Sequence, residues 1–154
     1  MRKVLTFVFI PVLIFPVIIS AASSIMIHNA WIRSAPPNAK ALAAYMMIEN
    51  GSHEPRTLTA VSSKLFRKIE IHRTEMHEGI AKMIPQKQLV IPADGSVVLE
   101  PGGYHLMLID PETVPREGEQ VDMELRFDDG EILHIKAPVR AGGETGNLMD
   151  KHHH

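Results

Sequence analysis

The sequence predicts an all-β domain folded as a sandwich or barrel, and three observations predict it. Turn residues recur along the body of the chain at roughly 8–12-residue spacing. Between them apolar and polar residues alternate, as they do where successive side chains face opposite sides of a strand. No stretch of the body sustains the 3.6-residue period of an amphipathic helix.

The first element is a leader rather than part of the fold. Arg2 and Lys3 precede a largely apolar run from Val4 to Ile19, interrupted by Pro11 and Pro16, and small residues follow at Ser20-Ala21-Ala22. That is the pattern of a secretory signal. A run of this length with two prolines is short for a bilayer span. No cysteine follows it, so it is not read as a lipoprotein signal. The expected organisation is a signal peptide over 1–22, one domain over 23–140 and a flexible tail over 141–154. Cleavage after Ala22 leaves 132 residues, which suits one domain with its own core.

The strands follow in order. "IMIHNAWIRS" (25–34) is strand-like, and Pro36-Pro37-Asn38 marks a loop after it. "AAYMMIEN" runs into Asn50-Gly51, a strong turn signal. "EPRTLTAVSS" reads as a strand leaving that turn. "LFRKIEIHR" puts Ile69 and Ile71 on one face, with Glu70 and His72 on the other. Glu78-Gly79 can turn a hairpin, with Met76 and His77 placed in the turn. Asp94-Gly95 and Pro101-Gly102-Gly103 divide "QLVIPADGSVVLEPGGYHLMLI" into short strands. The clearest hairpin comes last: Val121, Met123, Leu125 and Phe127 alternate before Asp128-Asp129-Gly130. After that turn either Ile132 and His134 or Leu133 and Ile135 face inward. "AGGETGNLMDKHHH" is Gly-rich and polar, and is expected to be disordered.

Composition removes several functions. Losing Arg2 and Lys3 with the leader leaves 14 of the 16 basic residues against 18 acidic ones, a formal charge of −4. That is no nucleic-acid footprint, which needs a clustered basic face. With no cysteine the chain has no thiol redox motif, thiolate zinc site or thiolate-ligated blue-copper centre. Neither a Gly-x-Ser-x-Gly elbow nor a His-Glu-x-x-His motif is present, so no hydrolase is indicated. A copper monooxygenase with an N-terminal histidine brace needs cleavage just before His28, where "SSIM" is a poor peptidase site. Against the missing cysteines stand nine methionines and nine histidines.

Four of these form a pattern. In "YHLMLI" (104–109) strand alternation sends Tyr104, Leu106 and Leu108 to one face, and pairs His105 with Met107 on the other. Upstream, "IHRTEMHEGIAKM" places His72 and Met83 on either side of a turn. A thioether is a soft, uncharged donor that suits Cu(I), whereas zinc, magnesium and calcium prefer nitrogen, thiolate or oxygen. Two neutral imidazoles and two thioethers around Cu(I) carry a net charge of only +1, cheaper to hold beside apolar surface than a divalent ion. The chemistry alone leaves a second reading open: methionines as core filler and histidines as hydrogen-bonded surface groups. Met76 and His77 are a possible secondary or transfer position, or simply an exposed pair. His28, His53 and His134 read as ordinary surface or hydrogen-bonded residues, and His152–His154 as a metal-scavenging tail that takes Cu(II) or as a clipped tag.

The spacing His-x10-Met-x21-His-x-Met resembles the signature of the PCu(A)C periplasmic copper chaperones. The likeness extends to "AWIRSAPPNAKALAAYMMIENG", "IEIHRTEM", "EPGGYHLMLI" and "REGEQVDMELRFDDGEILHIKAPVR", and so covers about residues 28–140. It implies a cupredoxin-like β-sandwich binding Cu(I) through His72, Met83, His105 and Met107. It also implies a monomeric periplasmic carrier, with no catalysis and no membrane insertion after signal cleavage. Its copper would go towards the CuA centre of cytochrome c oxidase, directly or by way of Sco-type proteins. The alternative is a copper buffer or resistance protein with no dedicated acceptor.

Overall fold

A computed structural model describes residues 23–142. The expected signal peptide over 1–22 and the tail from residue 143, including His152–His154, lie outside the described residues. Ten strands run in chain order: β1 Ile25–Arg33, β2 Ala41–Asn50, β3 Arg56–Ser62, β4 Phe66–His77, β5 Ile80–Gln86, β6 Leu89–Ile91, β7 Gly95–Leu99, β8 Tyr104–Pro111, β9 Gln120–Phe127 and β10 Ile132–Arg140. No helix occurs among the described residues, and so none is long and apolar enough to cross a membrane.

Hydrogen bonding links all ten strands into one open sheet, ordered β5-β4-β8-β7-β2-β1-β10-β9-β3-β6. The two halves join at β1 and β10, which pair in parallel through Ile32 opposite Val139 and Arg33 opposite Arg140. They face each other across one core, and β3 touches β4 while β6 touches β2 and β7 without pairing. This is the expected all-β, cupredoxin-like architecture. Its core follows from period-two patterning. Leu42, Ala44, Met46 and Ile48 of β2, Leu106 and Leu108 of β8, and Val121, Met123, Leu125 and Phe127 of β9 are all buried.

The β9–β10 hairpin turns at Asp128-Asp129-Gly130, with Gly130 at φ +86°. Of the two facings open for β10, Leu133 and Ile135 pack on the core, while His134 is exposed. Glu78 and Gly79 turn β4 into β5 with φ of +50° and +80°, the paired positive values of a tight hairpin turn. Met76 and His77 therefore end strand β4 instead of lying in the turn.

The turn at Asn50-Gly51 is not a hairpin. The strands flanking Asn50-Gly51 do not pair, because β2 bonds β1, β7 and β8 while β3 bonds β6 and β9. Here the chain crosses between the two halves of the sheet. Asn50, 1% exposed, anchors the crossing. Its Nδ2 donates to the carbonyls of Glu54 (2.8 Å) and Pro92 (3.1 Å), and its Oδ1 accepts from Ser52 N and Oγ. β5 is one free edge of the sheet, and it carries Pro85 opposite His72.

Candidate copper site

The site lies on the outward face of the half-sheet whose other face forms the core. On β8, Leu106 and Leu108 point inward, so alternation turns His105 and Met107 outward. The register then fixes their neighbours. His105 stands opposite His72 of β4, Met107 is flanked by Glu70 of β4 and Ala43 of β2, and Met83 of β5 stands opposite Thr74 of β4. His72, Met83, His105 and Met107 thus share one face across three adjacent strands.

They do not share it equally. Met83, His105 and Met107 line one shallow pocket of about 250 Å³, walled by Ala43 and by Ser34 and Ala35 of the loop after β1. His72 lies behind that pocket, 6% exposed, with its ring centroid 5.7 Å from that of His105. Met83 is 61% exposed, so the donor set grades from a buried imidazole to a thioether in water. Small side chains at Ala41 and Ala43 leave the space above Met107 open.

Each imidazole is held by one nitrogen and bare at the other. His72 Nε2 donates to Glu70 Oε2 at 2.8 Å, which leaves its buried Nδ1 without a partner. His105 Nδ1 donates to the Gly103 carbonyl at 3.2 Å, which leaves its buried Nε2 without a partner. A buried lone pair with nothing to accept is costly in a finished fold. It is also what a metal-ligating histidine offers, since the second-shell partner sets the tautomer and aims the free nitrogen. Burial pushes the His105 pKa down, and nearby His72 does so more weakly; the Gly103 hydrogen bond opposes them. The neutral, metal-competent ring is therefore favoured.

The donor set is chemically selective. Among the described residues, no three His, Asp or Glu side chains come together in a group that could hold a metal. A metal on this face would have to draw on thioether sulfur as well, and sulfur favours a soft ion. Of the cations nearby, Arg33 of β1 lines the pocket itself, whereas Arg73 of β4 turns away. Arg73 stands opposite Tyr104, with its guanidinium 5.4 Å from that ring's centroid, on the face away from the pocket. A larger depression near the β3–β4 loop is lined by Asp122, Glu124 and His134, with Met123 its only thioether.

The four candidate donors named from the sequence share this face, but the groups that hold them carry no comparable sequence signal. Glu70 had been placed on the His72 face, but its hydrogen bond was not foreseen. The Gly103 carbonyl and the Ala43 wall carry no side-chain signal and depend on strand pairing.

Comparison with known proteins bears on this face. The model of a family described as "Putative lipoprotein LpqE-like" matches residues 25–139. Among curated relatives, "Putative lipoprotein Lxx21020" of Leifsonia xyli subsp. xyli is 26% identical over 120 residues, covering 77% of this chain and 71% of the relative. "Uncharacterized protein RP573" of Rickettsia prowazekii is 30% identical over 97 residues, covering 61% of this chain and 54% of that protein. Among solved structures, the copper-bound PCuAC domain from PmoF2 superposes with a TM-score of 0.67 at 25% identity, over 79% of this chain and 97% of that one. Apo-DR1885 from Deinococcus radiodurans gives 0.61 at 28% identity, over 94% of this chain and 99% of that one. The same protein in its Cu(I) form gives 0.59, over 79% of each chain. The PCuAC resemblance read from the sequence holds.

Proposed function

The chain belongs to the LpqE-like family, and from that membership and the geometry of its site we propose that it is a periplasmic copper chaperone. It binds Cu(I) through His72 Nδ1, His105 Nε2 and the sulfurs of Met83 and Met107. It delivers the ion towards the CuA site of cytochrome c oxidase, directly or by way of a Sco-type protein. The apolar leader exports it, and it works as a monomeric carrier without catalysis. The tail histidines His152–His154 are a secondary place for Cu(II).

The observation that carries this reading is the pair of orphaned imidazole nitrogens behind a thioether-lined pocket. Two known copper-bound relatives, PmoF2 and DR1885, support the identity of the ion. The graded exposure suits transfer. An acceptor meets Met83 first, displaces that single weak thioether, and shares the ion with the deeper ligands before they let go. Glu70 and Gly103 keep both rings in place meanwhile, so the emptied site stays ready to refill.

The test is the double variant Met83→Leu/Met107→Leu, which keeps side-chain volume and removes both sulfurs. Competition against a chromogenic Cu(I) chelator should show a large loss of affinity with the circular dichroism of the fold unchanged; undiminished affinity overturns the ligand set. Mixing the Cu(I)-loaded protein with apo CuA domain and with apo Sco protein then reads delivery. Metal gained by either supports the chaperone, and metal gained by neither makes the protein a buffer.

A further inference from the structure

The outward face of the sheet carries a second group of soft donors. Of the methionines in described strands, Met46 and Met123 fill the core at 2% and 1% exposure. Met26 and Met47 do not. Met26 of β1 stands opposite Glu49 of β2, and His28 of β1 stands opposite Met47 of β2, so the four occupy a two-by-two block on one face. Side chains directly opposite in such a ladder have Cβ atoms about 4.5–5.5 Å apart. His28 Nε2 bonds Glu49 Oε2 at 2.8 Å, which leaves Nδ1 as the ring's free nitrogen. Glu49 thus stands to His28 as Glu70 stands to His72.

We propose that Met26, His28, Met47 and Glu49 form a second, weaker Cu(I) site, with two thioethers and His28 Nδ1 as ligands and Glu49 holding the ring. Three soft or borderline donors satisfy the trigonal preference of Cu(I), whereas a hard cation finds only one carboxylate in the block. Asp94, which lines a depression with Met47 and Glu49, is engaged by His53 Nδ1 at 2.9 Å. Exposed Val98 of β7 stands opposite Met47 and adds an apolar flank. A β-bulge between His28 and Trp31, with Asn29 at φ +52°, ends the regular register just past the block and pins it.

The site is distinct from the first. Ala43, opposite Met107, and Met47 are four residues apart on β2, or about 13 Å at strand spacing. Tyr45 lies between them, its ring 4.8 Å from that of Trp31. No single ion reaches both sets. One imidazole in place of two, in a more open position, makes this the weaker site.

Methionine methyl NMR tests it site by site. Protein carrying 13C-methyl methionine is titrated without oxygen, first with Cu(I) and separately with Ag(I) as a redox-inert surrogate. The Met83 and Met107 methyls should move through the first equivalent, and those of Met26 and Met47 only afterwards. The double variant Met26→Leu/Met47→Leu should lose the later response and keep the first; Met83→Leu/Met107→Leu should do the reverse. Stationary Met26 and Met47 methyls in the unaltered protein, with further metal taken up elsewhere such as by the tail histidines, overturn this proposal and leave the first site standing. Stationary Met83 and Met107 methyls count against the first site alone.

Discussion

Replacing His105 with leucine should abolish tight Cu(I) binding and yet leave the metal-free protein at least as stable as before. The two effects have one cause. In the apo fold His105 is 5% exposed and its Nε2 is buried without a partner. Leaving such an atom unpaired costs about 1–3 kcal/mol. Leucine removes that cost and also forfeits the 3.2 Å bond from Nδ1 to the Gly103 carbonyl, about 0.5–1.5 kcal/mol. That carbonyl is only half-buried and still accepts from Thr74 N at 3.1 Å. The balance is a gain of about 1 kcal/mol, which for a domain of this size raises the melting temperature by about 3–6 °C. Thermal and urea unfolding of the apo proteins, with constant m-values, measures it. His53→Leu is the control: its side chain is 93% exposed, so stability should move by less than about 0.5 kcal/mol. A clear loss of apo stability in His105→Leu would refute the reasoning, because it would mean that the ring serves packing and hydrogen bonding rather than an absent ion.

Glu70→Ala should lower Cu(I) affinity by about 10–100-fold without unfolding the protein, because the His72 ring loses the hydrogen bond that aims it, and chelator competition reads it. His105 should titrate below the ordinary imidazole value of 6.5 in the apo protein, because burial disfavours its charged form. The sign follows. Its contribution to stability is fully present above 6.5 and is lost as pH falls from there through the depressed value, and the His105 ring protons followed by NMR check this. Asn50→Ala should cost about 1–3 kcal/mol in urea unfolding, since it strands Ser52 N and the Pro92 carbonyl at the crossing between half-sheets, while the Glu54 carbonyl keeps its bond from Ser52 Oγ.

Local patterning made some elements readable from the residues alone. The alternation of Val121 to Phe127 before a Gly turn needs no partner strand to be recognised, and Glu78-Gly79 names its own turn type. Asn50-Gly51 marks where β2 ends, but distant pairing of β2 with β7 and of β3 with β9 decides where the chain goes next. The parallel seam between β1 and β10 joins the two ends of the domain and leaves no local trace. At the site, the spacing of His72, Met83, His105 and Met107 was legible because it is carried by the sequence itself, and period-two alternation pairs His105 with Met107 on one strand face. Their unequal depth was not, since it depends on the loop at Ser34 and Ala35 and on the small side chain of Ala43. His28 was read as a surface group because Met47 becomes its neighbour only through the β1–β2 register, although Met26 shares its strand face.

The free edge at β5 has a further consequence. A border strand ordinarily invites another polypeptide to zip alongside it through its backbone. Pro85 has no amide hydrogen, and a proline is tolerated there because its missing donor falls on the solvent side of the ladder. The border that holds Met83 is thereby a broken template for main-chain association, while the sulfur itself stands clear of it. A strand arriving at this rim would find its ladder interrupted one rung from Met83, so pairing along the edge stays short.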